Sequence, residues 1–277
     1  MRSRRRQEAG KMYDFTYHKA ASLDDAAKLL ASAVDAKPIA GGQSLLPMMK
    51  FRLASPSDLV DLGTIAGLDR IEAEGGTLTL GAMCRHGAVC TSEVVQKTLP
   101  ALAHLAGLIG DPAVRHRGTL GGSLANNDPT ADYPAAAVSL GATIVTSKRE
   151  IAAEDFFTGL FETALEPDEI VVAARFPVPE KAAYEKFRNP ASRYAMVGVF
   201  VAKFPDVVRV AVTGAGASGV FRVPSFEEAL SKDFSADALK GLSISTDGLA
   251  GDIHASAEYR AHLVGVMARR AVAAANG

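Results

Sequence analysis

Two glycine-bearing segments, far apart in the chain, carry the residue types best suited to hold a charged ligand. The first covers residues 38–45 and reads Pro-Ile-Ala-Gly-Gly-Gln-Ser-Leu. Its two glycines permit positive φ and let the backbone come close to a ligand. Successive N–H groups in such a turn can bind an anion, and Gln43 and Ser44 add side-chain donors. The alternative is a tight strand-to-helix turn with no ligand.

The second segment covers residues 117–132 and contains three glycines, two hydroxyl groups in residues 119–123, and two acids near its end. We interpret it as one long loop. A glycine loop can hold a diphosphate, and Asp132 could accept a hydrogen bond from a sugar-alcohol hydroxyl. A polar surface loop is the alternative, but long loops with so many donors tend to be functional.

Short elements of both kinds must position these segments. Ser22 is a predicted N-cap for a helix over residues 22–34, and a strand over 37–40 runs into the first glycines. Beyond two prolines at 177 and 179, paired strands are predicted over 197–204 and 207–213. Further predictions are helices over 45–52, 86–92, 99–110, 134–140, 226–230 and 256–275, and strands over 59–62, 77–81, 141–145 and 169–176.

The pattern predicts an α+β protein with a basic, disordered tail over residues 1–11. We expect one domain over residues 12–177, made of subdomains 12–62 and 63–177. A smaller C-terminal α+β domain is expected over residues 178–277.

Composition excludes several classes of protein. The 277 residues include 30 Lys or Arg and 31 Asp or Glu, for a net charge of −1, and 48% are hydrophobic. This balance argues against disorder and gives no electrostatic footprint for nucleic acid. No uncharged apolar run is long enough to span a membrane. Cys84 and Cys90 are too few to hold an iron–sulfur cluster, and free thiols are expected in a cytoplasmic protein.

Two further patterns favour structural explanations. Residues 214–219 spell Gly-x-Gly-x-x-Gly after an apolar strand, but a β-like stretch ending in Pro224 follows where a dinucleotide-binding fold needs a helix. His254, Glu258 and His262 lie four residues apart, as zinc ligands on one helix face could. A solvated helix face explains them better.

Residues 40–50 and 118–136 together resemble the FAD-binding medium subunit of the molybdenum hydroxylases, the family of xanthine dehydrogenase and carbon monoxide dehydrogenase. The resemblance extends from about Met12 to the end of the chain. It implies a two-part FAD-binding domain of the PCMH and vanillyl-alcohol oxidase type, with a C-terminal α+β domain of the carbon monoxide dehydrogenase flavoprotein type. His116 departs from the family, where Asn is frequent.

By resemblance, two groups of residues would hold the FAD diphosphate, and a third group would surround the ring. Ile109 would pack beside the cofactor, Asp132 would bind its ribityl chain or polar ring edge, and Tyr194 would cover a ring face. Ile170 or Val171 would touch the ring, with Lys186 near its polar side. The diphosphate would lie against Pro38, Ile39, Ala40, Gly41, Gly42, Gln43, Ser44 and Leu45 and against Thr119, Leu120, Gly121, Gly122 and Ser123.

The resemblance also implies partners. Electrons would arrive from an iron–sulfur small subunit beside a molybdopterin large subunit and leave to NAD or a quinone. No catalytic side chain is predicted in this chain. Two other functions remain open: an assembly module that keeps the fold without catalysis, and an NAD-dependent reductase that uses residues 214–219.

Overall fold

The structure is a computed structural model that describes residues 12–277, so the predicted basic tail over residues 1–11 lies outside the described residues. Its elements form three units that follow one another in the chain. We call them the parallel unit, the central unit and the C-terminal unit.

The parallel unit is a three-stranded parallel sheet with strand order β1-β3-β2. Parallel neighbours need a crossover, and helix α2 lies in the one between β2 and β3. The hydroxyl of Ser22 caps α1 by accepting from the N–H of Asp25, as predicted. The elements are β1 (Thr16–Lys19), α1 (Leu23–Ser32), β2 (Ala36–Ile39), α2 (Leu45–Lys50) and β3 (Asp58–Asp61).

The central unit is a five-stranded antiparallel sheet, order β4-β5-β10-β6-β7, with a separate hairpin β8-β9. Its strands are β4 (Ile71–Glu74), β5 (Thr77–Gly81), β6 (Thr143–Thr146), β7 (Glu150–Ala152), β8 (Phe157–Gly159), β9 (Glu162–Thr163) and β10 (Val171–Pro177). Its helices are α3 (His86–Thr91), α4 (Glu93–Thr98), α5 (Pro100–Gly107), α6 (Pro112–Arg117), α7 (Leu120–Asn126), α8 (Tyr133–Leu140) and α9 (Ala153–Phe156).

The C-terminal unit is a four-stranded antiparallel sheet in the order β11-β12-β13-β14, with two helices. The predicted pairing of the strands now called β12 and β13 is confirmed, with Phe200 opposite Ala211. The elements are β11 (Lys181–Arg188), β12 (Ala195–Lys203), β13 (Val208–Thr213), β14 (Phe221–Arg222), α10 (Pro224–Lys232) and α11 (Ala257–Asn276), with a short 3₁₀ turn (Asp237–Leu239).

The C-terminal sheet is covered on both faces. One face shares a hydrophobic core with the central unit, and the other packs against α10 and α11. Buried Ser139 on α8 donates to the carbonyl of Phe200 and accepts from the N–H of Ala211, which ties α8 to β12 and β13. Strand β12 is therefore buried at every residue except Lys203, as expected of a strand enclosed on both sides.

One prediction was wrong in a way that matters for the site. Residues 117–132 are not one long loop, because α6 ends at Arg117 and α7 forms over Leu120–Asn126. Side chains of Asp111 and Thr119 cap these helices by accepting from the N–H groups of Val114 and Gly122. Leu120 and Leu124, four residues apart, bury one face of α7 in the core. The helix was not predicted because the glycines at 118, 121 and 122 suggested a loop.

Candidate functional site

The two glycine segments meet in the folded protein. A Cβ atom at position 41 would lie 2.2 Å from the carbonyl oxygen of Arg117 and 2.8 Å from the Cα of Gly118. A Cβ at position 122 would lie 3.9 Å from the Cβ of Ala40. Backbone thus packs on backbone, and only glycine fits at position 41 without displacing its neighbour. The parallel and central units join at this contact.

A cleft of about 390 Å³ opens along the contact. This volume lies within the range typical of small-molecule and cofactor sites. Every predicted site residue lines the cleft except Leu120 and Lys186. Leu120, the first residue of α7, is fully buried in the core. Its side chain therefore packs behind the cleft and does not form part of the cleft surface.

Residues 41–45, the open segment, present unused backbone donors to the cleft. Gly42 has φ +70°, a conformation that favours glycine. Within residues 12–277, no acceptor receives the N–H groups of residues 41–45, and the first bonded N–H is that of Leu46, which donates to Gly42. Gln43 and Ser44 are exposed. Such a row of free donors suits the oxygens of a diphosphate.

We call residues 119–123 the capped segment. The backbone N–H groups of residues 120–123 all donate to acceptors within the protein. The N–H of Leu120 donates to Cys84 at 2.9 Å, and that of Gly121 donates to Ala82 at 2.8 Å. The N–H groups of Gly122 and Ser123 donate to the side chain and carbonyl of Thr119. This segment therefore offers a ligand close backbone approach and the Ser123 hydroxyl, rather than a row of N–H groups.

A buried ion pair closes another part of the cleft. Asp132 lies 2.9 Å from the Nζ of Lys186 and accepts a hydrogen bond of 2.5 Å from the hydroxyl of Tyr184. Burial raises the pKa of the Asp132 carboxyl, although the neighbouring lysine acts in the opposite direction. The Lys186 side chain is 1% exposed and also donates to the carbonyl of Leu108. Lys186 therefore acts on the cleft through Asp132.

The remaining predicted residues supply apolar surface. Ile170 and Val171 are buried where β10 begins, and Ile109 is half-buried beyond α5. Tyr194, 55% exposed just before β12, lines the cleft from the C-terminal unit. Apolar side chains beside a buried acid suit a ring system with one polar edge.

Several lining residues gave no signal in the sequence. Buried His86 is accommodated by Gly118, where a Cβ would lie 2.6 Å from its Nε2. Burial, with help from Arg115, lowers the pKa of His86 to about 4, so the ring is neutral at pH 7. A lone histidine has no motif around it, and only the fold places it at the cleft. Other unpredicted lining residues are Met83, Val114, Asp128, Leu165 and Glu169.

Glu169 holds one wall of the cleft. Its buried carboxylate accepts from Arg149 at 3.0 Å, from the Thr146 hydroxyl at 2.6 Å and from the Glu166 N–H at 2.9 Å. Burial acts to raise the pKa of Glu169, but these hydrogen bonds outweigh it and lower the pKa to about 2. The residue next in the chain, Ile170, is thereby fixed at the cleft.

The other sequence patterns take structural roles. In residues 214–219, the N–H of Gly214 donates to Pro129 and that of Ala217 to Gly248. Strand β14 follows these glycines, and α10 begins only at Pro224, so the helix that a dinucleotide fingerprint requires is not there. Among residues 12–277, no group of His, Cys, Asp and Glu side chains is arranged to hold a metal ion. None of the helices in that range has the length and apolar character needed to cross a bilayer.

Comparison with known families and proteins agrees with this geometry. Residues 13–179 match the family described as FAD binding domain in molybdopterin dehydrogenase. The chain is 37% identical to the carbon monoxide dehydrogenase medium chain of Afipia carboxidovorans, over 93% of this chain and 95% of that one. It is 38% identical to the nicotine 6-hydroxylase medium subunit of Paenarthrobacter nicotinovorans, over 92% and 95%.

Solved structures show the same fold. Quinoline 2-oxidoreductase from Pseudomonas putida 86 superposes with a TM-score of 0.86 at 32% identity, covering 96% of this chain and 98% of that one. Reconstituted CO dehydrogenase from Oligotropha carboxidovorans gives a TM-score of 0.87 at 34% identity, with the same coverage. The chain therefore belongs to the family of FAD-binding medium subunits of molybdenum hydroxylases, and its cofactor is FAD.

Proposed function

We propose that this chain carries electrons from the iron–sulfur clusters of a partner subunit through FAD to NAD or a quinone. The observation that carries the proposal is the contact of Gly41 with the backbone of Arg117 and Gly118, which brings two distant segments to one cleft. The chain would assemble with an iron–sulfur small subunit and a molybdopterin large subunit. The relatives' names, medium chain and medium subunit, support such an assembly.

We place the FAD diphosphate against the open segment, where the N–H groups of residues 41–45 have no acceptor within the described chain. Ser123 would donate from the capped segment on the other side. No carboxylate interrupts residues 38–45, so the charge of a diphosphate would meet only donors there.

The flavin ring would lie at the part of the cleft lined by Asp132 and Tyr194. Asp132 would accept from the ribityl chain or the polar ring edge, and Lys186 would oppose the rise that burial causes in the pKa of Asp132. Ile109, Ile170 and Val171 would contact the ring, and Tyr194 would cover one of its faces, which keeps water away from it.

When bound, FAD takes up electrons singly and releases them in pairs, so the redox chemistry is supplied by the cofactor. The work of the protein is then to bind, orient and shield that group. This explains why the cleft presents backbone donors, apolar walls and one buried ion pair. The two free thiols, Cys84 and Cys90, support placing the complex in the cytoplasm.

The test is anaerobic reduction of the intact complex by its substrate, followed by mixing with NAD⁺ or with a soluble quinone. Bleaching of the flavin absorbance, then recovery with one of these acceptors, is the expected result. An assembly module would release no FAD on denaturation, or would hold FAD that the substrate never bleaches.

Two matched variants locate the site. Gly41→Ala places a Cβ 2.2 Å from a backbone oxygen at the cleft, and Gly216→Ala places one 2.3 Å from the carbonyl of Gly219, within residues 214–219. We expect the first to lose FAD and the second to keep it. The reverse result would favour a nucleotide site at residues 214–219 and would overturn the proposal.

A further inference from the structure

The two side chains that bind the Asp132 carboxylate come from one strand of the C-terminal unit. Tyr184 and Lys186 are alternate residues of β11, and both point to the carboxylate. The Tyr184 hydroxyl donates to Oδ1, while the Lys186 ammonium lies 2.9 Å from Oδ1 and 3.0 Å from Oδ2. The orientation of Asp132 is therefore decided by residues more than fifty positions away in the chain.

The position of the Tyr184 hydroxyl is itself closely fixed. A Cβ at position 198 on β12 would lie 2.2 Å from that oxygen, so Gly198 provides the space it occupies. The Tyr184 ring packs against Phe200, with 6.2 Å between ring centroids. Tyr184 is 1% exposed. The Tyr184 hydroxyl is thus held beside Asp132, which accepts its hydrogen bond.

The backbone before Asp132 is attached to the same unit. The Thr213 hydroxyl, at the end of β13, lies 2.6 Å from the carbonyl of Ala131 and 3.0 Å from that of Pro129. The N–H of Gly214 also donates to Pro129, at 2.8 Å. The segment leading to Asp132 is thus held in place, and only the carboxylate group remains to be oriented.

A carboxylate has about four acceptor positions. Tyr184 occupies one position on Oδ1 and Lys186 one on Oδ2, and the Lys186 ammonium also lies 2.9 Å from Oδ1. Asp132 lines the cleft, so a position that these two donors leave is available to a donor from a bound ligand. Partial rotation of the carboxylate would turn that acceptor position away from the cleft.

We propose that Tyr184 is a positioning residue of the flavin site: its hydroxyl holds Asp132 so that the carboxylate keeps an acceptor position turned to the cleft for a flavin N–H or ribityl hydroxyl. This inference rests on the proposed function, because it takes the cleft to be where FAD binds. Lys186, two residues along the same strand, is predicted near the ring by resemblance, but no role is predicted for Tyr184.

The test compares two buried tyrosines by equilibrium dialysis of the full chain against FAD. Tyr184→Phe removes the hydroxyl on Asp132, whereas Tyr133→Phe removes an equally buried hydroxyl that has no partner among the described residues. We expect Kd for FAD to rise about tenfold in the first variant. It should change by less than about twofold in the second. Equal Kd values for wild type and Tyr184→Phe would overturn the inference.

A double-mutant cycle separates positioning from general damage to the fold. Asp132→Asn alone is expected to weaken FAD binding, and adding Tyr184→Phe to it should weaken binding no further, because the hydroxyl then has no carboxylate to orient. Additive losses would show that Tyr184 acts independently of Asp132 and would refute the proposal. The cycle also covers the case in which Tyr184→Phe folds poorly, because damage to the fold would add to the loss of FAD binding seen in Asp132→Asn.

The pH dependence of Kd gives an independent readout. The groups that face Asp132 are Tyr184, Lys186 and Arg188 on β11, with Tyr133 beside it in the chain. Loss of the Tyr184 donor raises the pKa of Asp132, so in Tyr184→Phe the weakening of FAD binding on acidification should begin at higher pH. Parallel pH profiles for the two proteins would contradict a positioning role.

The outcome of Gly41→Ala distinguishes the two proposals. If Gly41→Ala loses FAD and Tyr184→Phe binds it normally, the positioning role is wrong and the flavin cleft stands. If Gly41→Ala binds FAD normally, the cleft is not the flavin site, and both proposals are wrong.

Discussion

The open segment and the capped segment look alike in sequence but use their backbones in opposite ways. The N–H groups of residues 41–45 have no acceptor in the described chain. Those of residues 120–123 donate to Ala82, Cys84 and Thr119. Both contain a glycine pair. The difference shows that a glycine-rich stretch has two distinct uses, which are exposing donors to a ligand and allowing close packing beneath it.

Gly121 illustrates the second use. A Cβ there would lie 2.5 Å from the Cβ of Ala82, so α7 could not approach the end of β5 with any other residue at this position. Gly42 illustrates the first, because its φ of +70° turns the chain between β2 and α2. Equivalent substitutions in the two segments should therefore have unequal consequences.

The largest expected effect comes from a comparison of valine at one glycine of each segment. Gly42→Val forces a β-branched residue into positive φ and places its Cβ 2.9 Å from Leu46, so we expect FAD affinity to fall about a hundredfold. Gly122 has helical backbone, and its Cβ would lie 2.9 Å from the Thr119 hydroxyl and in ordinary contact with Ala40, so about a fivefold loss is expected. Fluorescence titration with FAD measures both.

Gly67→Val is the matched control for that comparison. Its φ is +80° and no atom lies within 4 Å of the added Cβ, so it carries a similar backbone cost outside the cleft. FAD binding by this variant should equal that of wild type. Equal losses in Gly42→Val and Gly122→Val would contradict the division into an open and a capped segment.

A change in the free energy of unfolding is expected at Glu169, which lines the cleft outside the two glycine segments. Glu169→Gln removes the charge that Arg149 pairs with and leaves mismatched donors, which should cost about 1–3 kcal/mol of unfolding free energy at pH 7. The folded-state pKa of Glu169 is about 2, below its ordinary 4.5. Its contribution is therefore complete above about pH 4.5 and is lost as the pH falls towards 2.

Urea unfolding across pH 2 to 7 tests this. Wild type should lose stability over that acidic window more steeply than Glu169→Gln, because the variant has no carboxyl group at position 169 to protonate. Lys97→Ala, at an exposed i,i+4 pair with Glu93, serves as a control with little expected change. Identical acid profiles for wild type and Glu169→Gln would show that the buried carboxylate is not responsible.

A smaller effect on the free energy of unfolding is expected in the capped segment, at Thr119. Thr119→Val removes the hydroxyl that caps α7 and should lower the unfolding free energy by about 1 kcal/mol, measured in urea. FAD affinity should change only a few-fold, since the donors of this segment serve the fold. Ser92→Ala, which uncaps α4 away from the cleft, provides the matched stability loss. A selective hundredfold loss of FAD in Thr119→Val would reverse the roles assigned to the two segments.

The smallest effect on FAD affinity is expected from the Ser44 side chain of the open segment. Ser44→Ala deletes one exposed hydroxyl but keeps all the backbone N–H groups of residues 41–45, so Kd for FAD should rise by only about threefold. Isothermal titration resolves such a change. A loss as large as that of Gly42→Val would mean that the hydroxyl, and not the backbone, is the principal donor.

Local elements and the ligand segments were predictable because their signals are local. The Ser22 cap, the strand before Gly41 and the β12–β13 pairing follow from short patterns. The predicted cleft residues outside the two glycine segments came from the family resemblance. Strand β11 was not predicted, because Lys-Ala-Ala-Tyr-Glu-Lys-Phe-Arg has weak strand preference and takes its conformation from pairing with β12. Helix α7 was missed because its glycines suggest a loop, while its cap and buried leucines are decided by packing.

The sequence by itself determined where the chain must turn, which faces must be buried and where glycine leaves room for a ligand, since these depend on neighbours within a few residues. Tertiary structure alone decided that Gly41 touches Gly118, that Tyr184 and Lys186 reach Asp132, and that Glu169 and His86 border the cleft. Those partners are separated by tens of residues. Their hydrogen bonds and close contacts exist only after the units have packed together. Hydrophobic burial drives that packing, but the local sequence does not specify which buried faces meet.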